Sequence, residues 1–188
     1  MISNKSIANF ERICNALELL GVVAMLIMAF GFQFVLIELP CPLCLLQRIG
    51  FIGIAFGFLL NLRFGLRPSH YAITLISALF TSFVALRQIA LHIVPGTGSY
   101  GTTLLGMHLY TWSFIICMLI VFATTVMLGV DRQYLTSCSR VARKPILTHG
   151  LFLLMVLLIG VNLVFVYLQC GLKDCPDDPV QYHGLKVR

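Results

Sequence analysis

Apolar residues run almost unbroken through five stretches: Leu19 to Ile37, Pro42 to Leu62, Tyr71 to Val94, Leu104 to Val130 and Ile146 to Leu168. Polar residues collect in the short connections between them. Each stretch offers about the ~20 apolar residues that a helix needs to cross a bilayer. The pattern therefore predicts an all-α membrane protein, a helical bundle of five transmembrane helices. Helix punctuation falls where that reading needs it, with Pro68 ahead of span three, Pro95 and Gly96 at its end, and Pro145 opening span five. Gly53 and Gly57 form a G-x-x-x-G on span two, preceded by Gly50, which predicts close helix packing. The first stretch exceeds a usual signal-peptide core, and Phe34-Val35-Leu36-Ile37-Glu38 has no small-residue cleavage site, so it is read as a retained helix.

Composition strengthens this reading. Of 188 residues, 59% are hydrophobic and 11% charged, and mean hydropathy is +0.95; a soluble domain needs a more polar skin. No separate soluble catalytic domain fits. The chain divides into a membrane bundle over residues 1–168 and a polar tail over 169–188. The formal net charge is +6, but its 13 Lys and Arg make no dense patch, which excludes a nucleic-acid partner and points to topology instead. With the N-terminus inside, Lys5, Arg12, Arg63, Arg67, Arg132, Arg140, Arg143 and Lys144 all fall on the inner face, whereas the second outer connection, Pro95 to Thr103, holds no cation. The positive-inside rule favours this orientation, and five crossings then put the C-terminus outside.

Sorted by side, the seven cysteines separate. Cys14 and Cys138 lie toward the inner, reducing face, and Cys117 sits within span four, where apolar surroundings keep a thiol inert. Cys41, Cys44, Cys170 and Cys175 lie at the outer face, where an oxidising compartment makes two pairs of them. In Cys41-Pro42-Leu43-Cys44-Leu45-Leu46-Gln47-Arg48, Pro42 suits the first helical position, which makes Cys41 the N-cap and places Cys44 in the opening turn. Unpaired N–H groups and the positive helix end lower a thiol pKa there. Arg48 shares a helix face with Cys44 four residues on and can stabilise a thiolate or bind a polar ligand head.

A metal at this pair lacks ligands, because zinc takes four and the outer face offers one other, spaced pair. Gly96-Thr97-Gly98-Ser99-Tyr100-Gly101 has the letters of a dinucleotide fingerprint but follows a membrane helix, not a strand, so it is read as an outer loop. His92 and His108 flank that loop and could ligate haem, though histidine is also at home at a membrane interface. A membrane dithiol without a flavin or nicotinamide motif needs an electron acceptor, and a quinone is the one dissolved in the bilayer.

The Cys41 to Arg48 stretch resembles the signature of the DsbB family of disulfide-forming inner-membrane proteins, in its place after the first span and in the Arg four residues beyond the second Cys. Arg87-Gln88 and Leu109-Tyr110-Thr111-Trp112 are also similar to family segments, so the resemblance covers roughly residues 10 to 130. It implies that a soluble periplasmic thiol oxidase, DsbA, is oxidised and that the electrons pass to ubiquinone or menaquinone. It further implies that Cys44 engages the quinone, that Arg48 holds or polarises it, and that Cys41 exchanges with a second pair. Arg87 and His92 are expected to line the same pocket. Typical members have four spans and carry the second pair in a long loop between spans three and four. Here Pro95 to Thr103 contains no Cys, a fifth span is added, and the tail Gln169-Cys170-Gly171-Leu172-Lys173-Asp174-Cys175-Pro176 supplies a pair.

The expectation is a quinone-dependent, protein-disulfide-forming oxidoreductase of the bacterial inner membrane, with its site on the periplasmic face. Cys41, Cys44, Cys170 and Cys175 are catalytic, and the partners are a DsbA-like oxidase, a membrane quinone and the lipid bilayer. The tail pair is either a shuttle or a structural staple. Two other functions compete: a thiol-reductant transporter running the flow in reverse, which calls for span cysteines facing both sides, and a non-enzymatic haem-binding or scaffold subunit.

Overall fold

The computed structural model describes residues 4–35, 39–94, 103–135 and 145–171. The predicted spans form five helices long and apolar enough to cross a membrane: α1 (Asn4–Val35), α2 (Pro42–Phe64), α3 (Pro68–His92), α4 (Leu109–Leu128) and α6 (Pro145–Cys170). Between α4 and α6 lies a single turn of helix, α5 (Arg132–Leu135). Between α3 and α4 lies a two-stranded antiparallel hairpin, β1 (Thr103–Leu104) and β2 (Met107–His108).

Helix α2 is the axis of the bundle. It is the most buried span, packs on α1, α3 and α6, and gives the core Phe51, Ile54, Ala55, Phe58 and Leu59. Its glycines allow the close approach of α3. A Cβ at Gly50 would stand 1.9 Å from Thr81 Oγ1, one at Gly53 would stand 2.5 Å from Ser77 Oγ, and one at Gly57 would stand 2.2 Å from Thr74 Oγ1 and 2.9 Å from the His70 carbonyl oxygen. The G-x-x-x-G thus faces a row of small hydroxyl residues, the packing that bilayer helices use in the absence of a strong hydrophobic drive between them. Outward-facing Leu79, Phe83, Leu119, Phe122, Leu153 and Leu157 are exposed, as lipid-facing residues should be.

A group of polar side chains inside the bundle pair with one another, because hydrocarbon offers no water. At the end opposite the Cys41–Cys44 turn, Asn15 Nδ2 donates to the Tyr71 hydroxyl at 2.8 Å and Asn61 Nδ2 donates to Asn15 Oδ1 at 2.9 Å. The Tyr71 hydroxyl in turn donates to Gln133 Oε1 at 3.2 Å. Gln133 also reaches the Met127 carbonyl, so α5 is tied beneath α1, α3 and α4. Gly65, at φ 92, ends α2 in a conformation that side chains disfavour and frees the Arg67 N–H to bond Asn61 Oδ1 at 3.2 Å.

Two boundaries differ most from the hydropathy reading. Helix α1 begins at Asn4, well ahead of Leu19, because Glu11 and Asn15 turn inward and are buried. Helix α4 begins at Leu109 rather than Leu104. The five residues between belong to the hairpin, whose turn residues Leu105 and Gly106 have φ of 52° and 79°, the twist that two-residue hairpin loops favour. Trp112 Nε1 donates to the Leu104 carbonyl at 2.9 Å and pins the hairpin to α4. Residues 95–102 of the glycine-rich loop lie outside the described residues, as do Cys138 and Cys175.

Replacing Gly57 with Leu should push α3 away and destabilise the bundle by about 1–3 kcal/mol, the usual cost of overpacking. Gly21→Ala, where an added Cβ meets nothing within 4 Å, should leave the melting temperature in detergent unchanged. Equal melting of the two variants would contradict the packing described.

Candidate active site

Pro42 opens α2 and Cys41 caps it. The extended backbone of Cys41 (φ −66°, ψ 160°) turns its sulfur back, so that the Cys44 N–H donates to Cys41 Sγ at 3.2 Å. Both cysteines are free, and Cys41 is buried at 4% exposure. Contact with the Cys44 side chain, and then burial, raise the Cys41 thiol above its ordinary pKa. The pair shares a single cap, so each thiol stands in the other's electrostatic field.

From α3, the fully buried Gln88 reaches both sulfurs. Its Nε2 donates to Cys41 Sγ at 3.2 Å and to Cys44 Sγ at 3.5 Å, while its Oε1 accepts from Gln47 Nε2 at 2.6 Å. One amide thus bridges the two thiols. Arg48, one residue beyond Gln47 on α2, turns toward α1. Its Nη1 donates to Gln33 Oε1 at 2.5 Å and its Nη2 to the Ala29 carbonyl at 3.0 Å, and its guanidinium carbon stands 4.7 Å from the centre of the Phe30 ring. These contacts explain how a charge 7% exposed is held in this position.

Cys41, Cys44, Gln47 and Arg48 form the polar side of a cavity of about 110 Å³ between α1, α2 and the start of α4. Met25, Leu26, Phe32 and Phe51 wall its apolar side, and Tyr110 and Ser113 close it from α4. A flat ring bearing carbonyl oxygens fits this donor set: apolar walls take the ring and chain, and the Arg48 guanidinium supplies the donors.

The other expected site residues lie elsewhere. Arg87 is exposed on α3 and does not line this cavity. His92, one turn on, is half-buried with its ring 5.9 Å from that of Tyr110, which itself stacks on His108 at 5.1 Å. Tyr110 is the link between those rings and the cavity. Cys170 ends α6 as one half of a disulfide, whereas Cys14, Cys41, Cys44 and Cys117 are free. Beside it, Gln169 Nε2 donates to the Pro40 carbonyl at 2.5 Å, one residue before Cys41. The rings of Phe165 and Phe34 meet edge to face at 5.2 Å and fix the same end of α6 against α1.

Gln33, Gln47 and Gln88 were not predicted as site residues. Their signal was present as three glutamines inside apolar spans, a costly placement that asks for a buried partner. Gln88 also stood in a segment that the resemblance had marked.

A multi-pass helical protein with a capped Cys-x-x-Cys and a buried arginine lining one apolar-walled cavity has the site of a membrane thiol oxidoreductase. The family model described as Disulfide bond formation protein DsbB matches residues 11–99, a little under half of the chain, and this match supports membership of the DsbB family. The match takes in the first three spans with Cys41, Cys44, Arg48 and Gln88, and ends before α4. That family implies a membrane disulfide-bond formation protein with oxidoreductase activity in general. No curated protein and no solved structure matches the chain.

Proposed function

We propose that the protein reoxidises a soluble, periplasmic, DsbA-like dithiol protein and passes the electrons through Cys41 and Cys44 to ubiquinone or menaquinone in a bacterial inner membrane. The observation that carries this reading is the shared cavity, where a dithiol and a buried guanidinium meet an apolar chamber. The proposed orientation keeps the N-terminus inside and the cysteine end at the periplasmic face, in accord with the distribution of Lys and Arg.

In this mechanism a thiolate of the soluble partner attacks the Cys170–Cys175 disulfide, and the partner's second thiol resolves the mixed disulfide. The partner leaves oxidised, and the tail pair holds two electrons. The Cys170 thiolate then attacks Cys41 in an oxidised Cys41–Cys44 bond and expels Cys44 as a thiolate, at the helix end best suited to carry that charge. Cys175 attacks Cys170, restores the tail disulfide and expels Cys41. A quinone supplies the final acceptor, taking two electrons and two protons as Cys41 and Cys44 become a disulfide again. Arg48 orients the acceptor and stabilises the Cys44 thiolate, while Gln88 holds both sulfurs on one side of the cap. Arg87 and His92 act, on this reading, at the rim, with His92 working through Tyr110.

One contact supports the tail pair as a shuttle. The Gln169 to Pro40 hydrogen bond brings the end of α6 to the residue before Cys41, and Cys170 is held there by its neighbour. Reverse flow, as in a reductant exporter, asks for span cysteines that can face both sides, and Cys117 is instead fully buried in the core.

Arg48→Lys keeps the charge but loses the planar fork, so the apparent quinone affinity should fall about tenfold or more, as expected for a lost charged hydrogen bond. The dithiol should remain oxidisable by a chemical oxidant. Unchanged quinone dependence in Arg48→Ala would contradict the site as drawn.

The double variant Cys170→Ser with Cys175→Ser should abolish oxidation of the soluble partner and leave Cys41–Cys44 reoxidisable by quinone after reduction with a small thiol. Oxidation of the partner at the normal rate would show that the tail disulfide is a staple.

A further inference from the structure

Helix α6 packs on the core along its length, through Leu151, Leu154, Met155 and Leu158 in its first half and Val161 and Phe165 beyond. At the cysteine end its contacts are close, with Gln169 on Pro40 and Phe165 on Phe34. At the other end, roughly 28 Å along α2 from Cys44 at 1.5 Å per residue, a groove of about 220 Å³ opens between α2 and α6. Its walls are Phe56, Leu59, Phe64 and Phe152, three of them aromatic rings exposed on the lipid-facing surface. Its head is polar. Arg63, in the last turn of α2, extends Nη2 to within 3.4 Å of His149 Nε2 near the start of α6. Two side chains from helices far apart in sequence therefore converge at one end of an apolar slot.

A groove of this size facing hydrocarbon does not stay empty, since protein and lipid interiors both close-pack. The filler must be apolar along the rings and must suit a cation-bearing end. Arg63 has five N–H donors in a fixed fork, and the contact with His149 uses one of them. That fork matches phosphate geometry. Among the described residues no carboxylate pairs with Arg63, and a lipid with a net negative headgroup fits both ends of the slot.

We propose that this groove is a binding site for one anionic phospholipid, its phosphate on Arg63 and His149 and one acyl chain against Phe56, Phe64 and Phe152. The lipid fills the gap between α2 and α6 and adds a contact between the end of α2 and the start of the fifth span. The choice of headgroup follows from the side chains alone. Assignment to the inner leaflet rests on the N-in orientation proposed above, and the test below does not depend on it.

The full-length protein, purified in a neutral detergent, is titrated with phosphatidylglycerol or phosphatidylcholine, and bound lipid is counted by native mass spectrometry. One phosphatidylglycerol should be retained in preference to phosphatidylcholine. Arg63→Ala combined with His149→Ala should weaken its retention about tenfold. Arg67→Ala, which removes an exposed cation at the same end but outside the groove, should leave retention unchanged and so controls for general surface charge. Phe152→Ala should weaken both lipids together. Equal retention of the two lipids, an equal loss in Arg67→Ala, or displacement of the bound lipid by millimolar inorganic phosphate would each overturn the proposal. If the double variant fails to fold, Arg63→Gln alone should still lower the preference for phosphatidylglycerol over phosphatidylcholine, and an unchanged preference would overturn it.

Discussion

A guanidinium cannot be left unanswered at the end of a membrane helix, and the arrangement of the cysteine end follows from how Arg48 is satisfied. Its two arms take Gln33 and the Ala29 carbonyl from α1, and its face meets Phe30. Those contacts fix α1 against α2 at the depth where the cavity opens. They also place a fixed positive charge beside Cys44, one helical turn away. Without this anchor the chamber would keep neutral polar groups such as Gln47 and Ser113 but no charge to orient a polar head.

The same rule of internal satisfaction organises the thiols. Gln88 spends its amide on both sulfurs and on Gln47, so α3 is locked to the cap of α2 by polar contacts at one end. Along the rest of their length, Gly50, Gly53 and Gly57 let the two helices approach. At the far end a second network, from Asn15 through Asn61 and Tyr71 to Gln133, closes the bundle. Apolar packing fills the middle, and polar networks set the registers at the two ends.

Much of this was legible in the residues. Five apolar runs became five spans because a bilayer needs little more than length and hydropathy. The place of Cys41 as a cap followed from Pro42, and the closeness of α2 and α3 followed from the glycines. Other features were hidden for physical reasons. Hydropathy averages over a window, so it could not see that Glu11 and Asn15 continue α1 inward, with their polar ends turned toward other helices. The hairpin was concealed because Leu105 occupies a turn position where Asn or Gly is the usual signal. The resemblance and its place near the outer end of span three singled out Arg87, yet one step along a helix turns a side chain by about 100°, and it is Gln88 that faces the sulfurs. The fifth span was visible as an apolar run, but the contact of Gln169 with Pro40 joins positions far apart in sequence, which no local pattern reports.

The central claim is that Cys41 and Cys44 deliver their electrons to a quinone in the adjoining cavity. The direct measurement is an anaerobic reaction of the reduced, purified protein with a soluble quinone analogue, following quinone loss by absorbance and free thiols by mass labelling. The account predicts one quinone consumed for each disulfide formed, first Cys41–Cys44 and then, through it, the tail pair, with no such reaction in Cys44→Ser. Quinone consumption that persists in Cys44→Ser, or a Cys41–Cys44 pair that remains reduced in excess quinone, would contradict it.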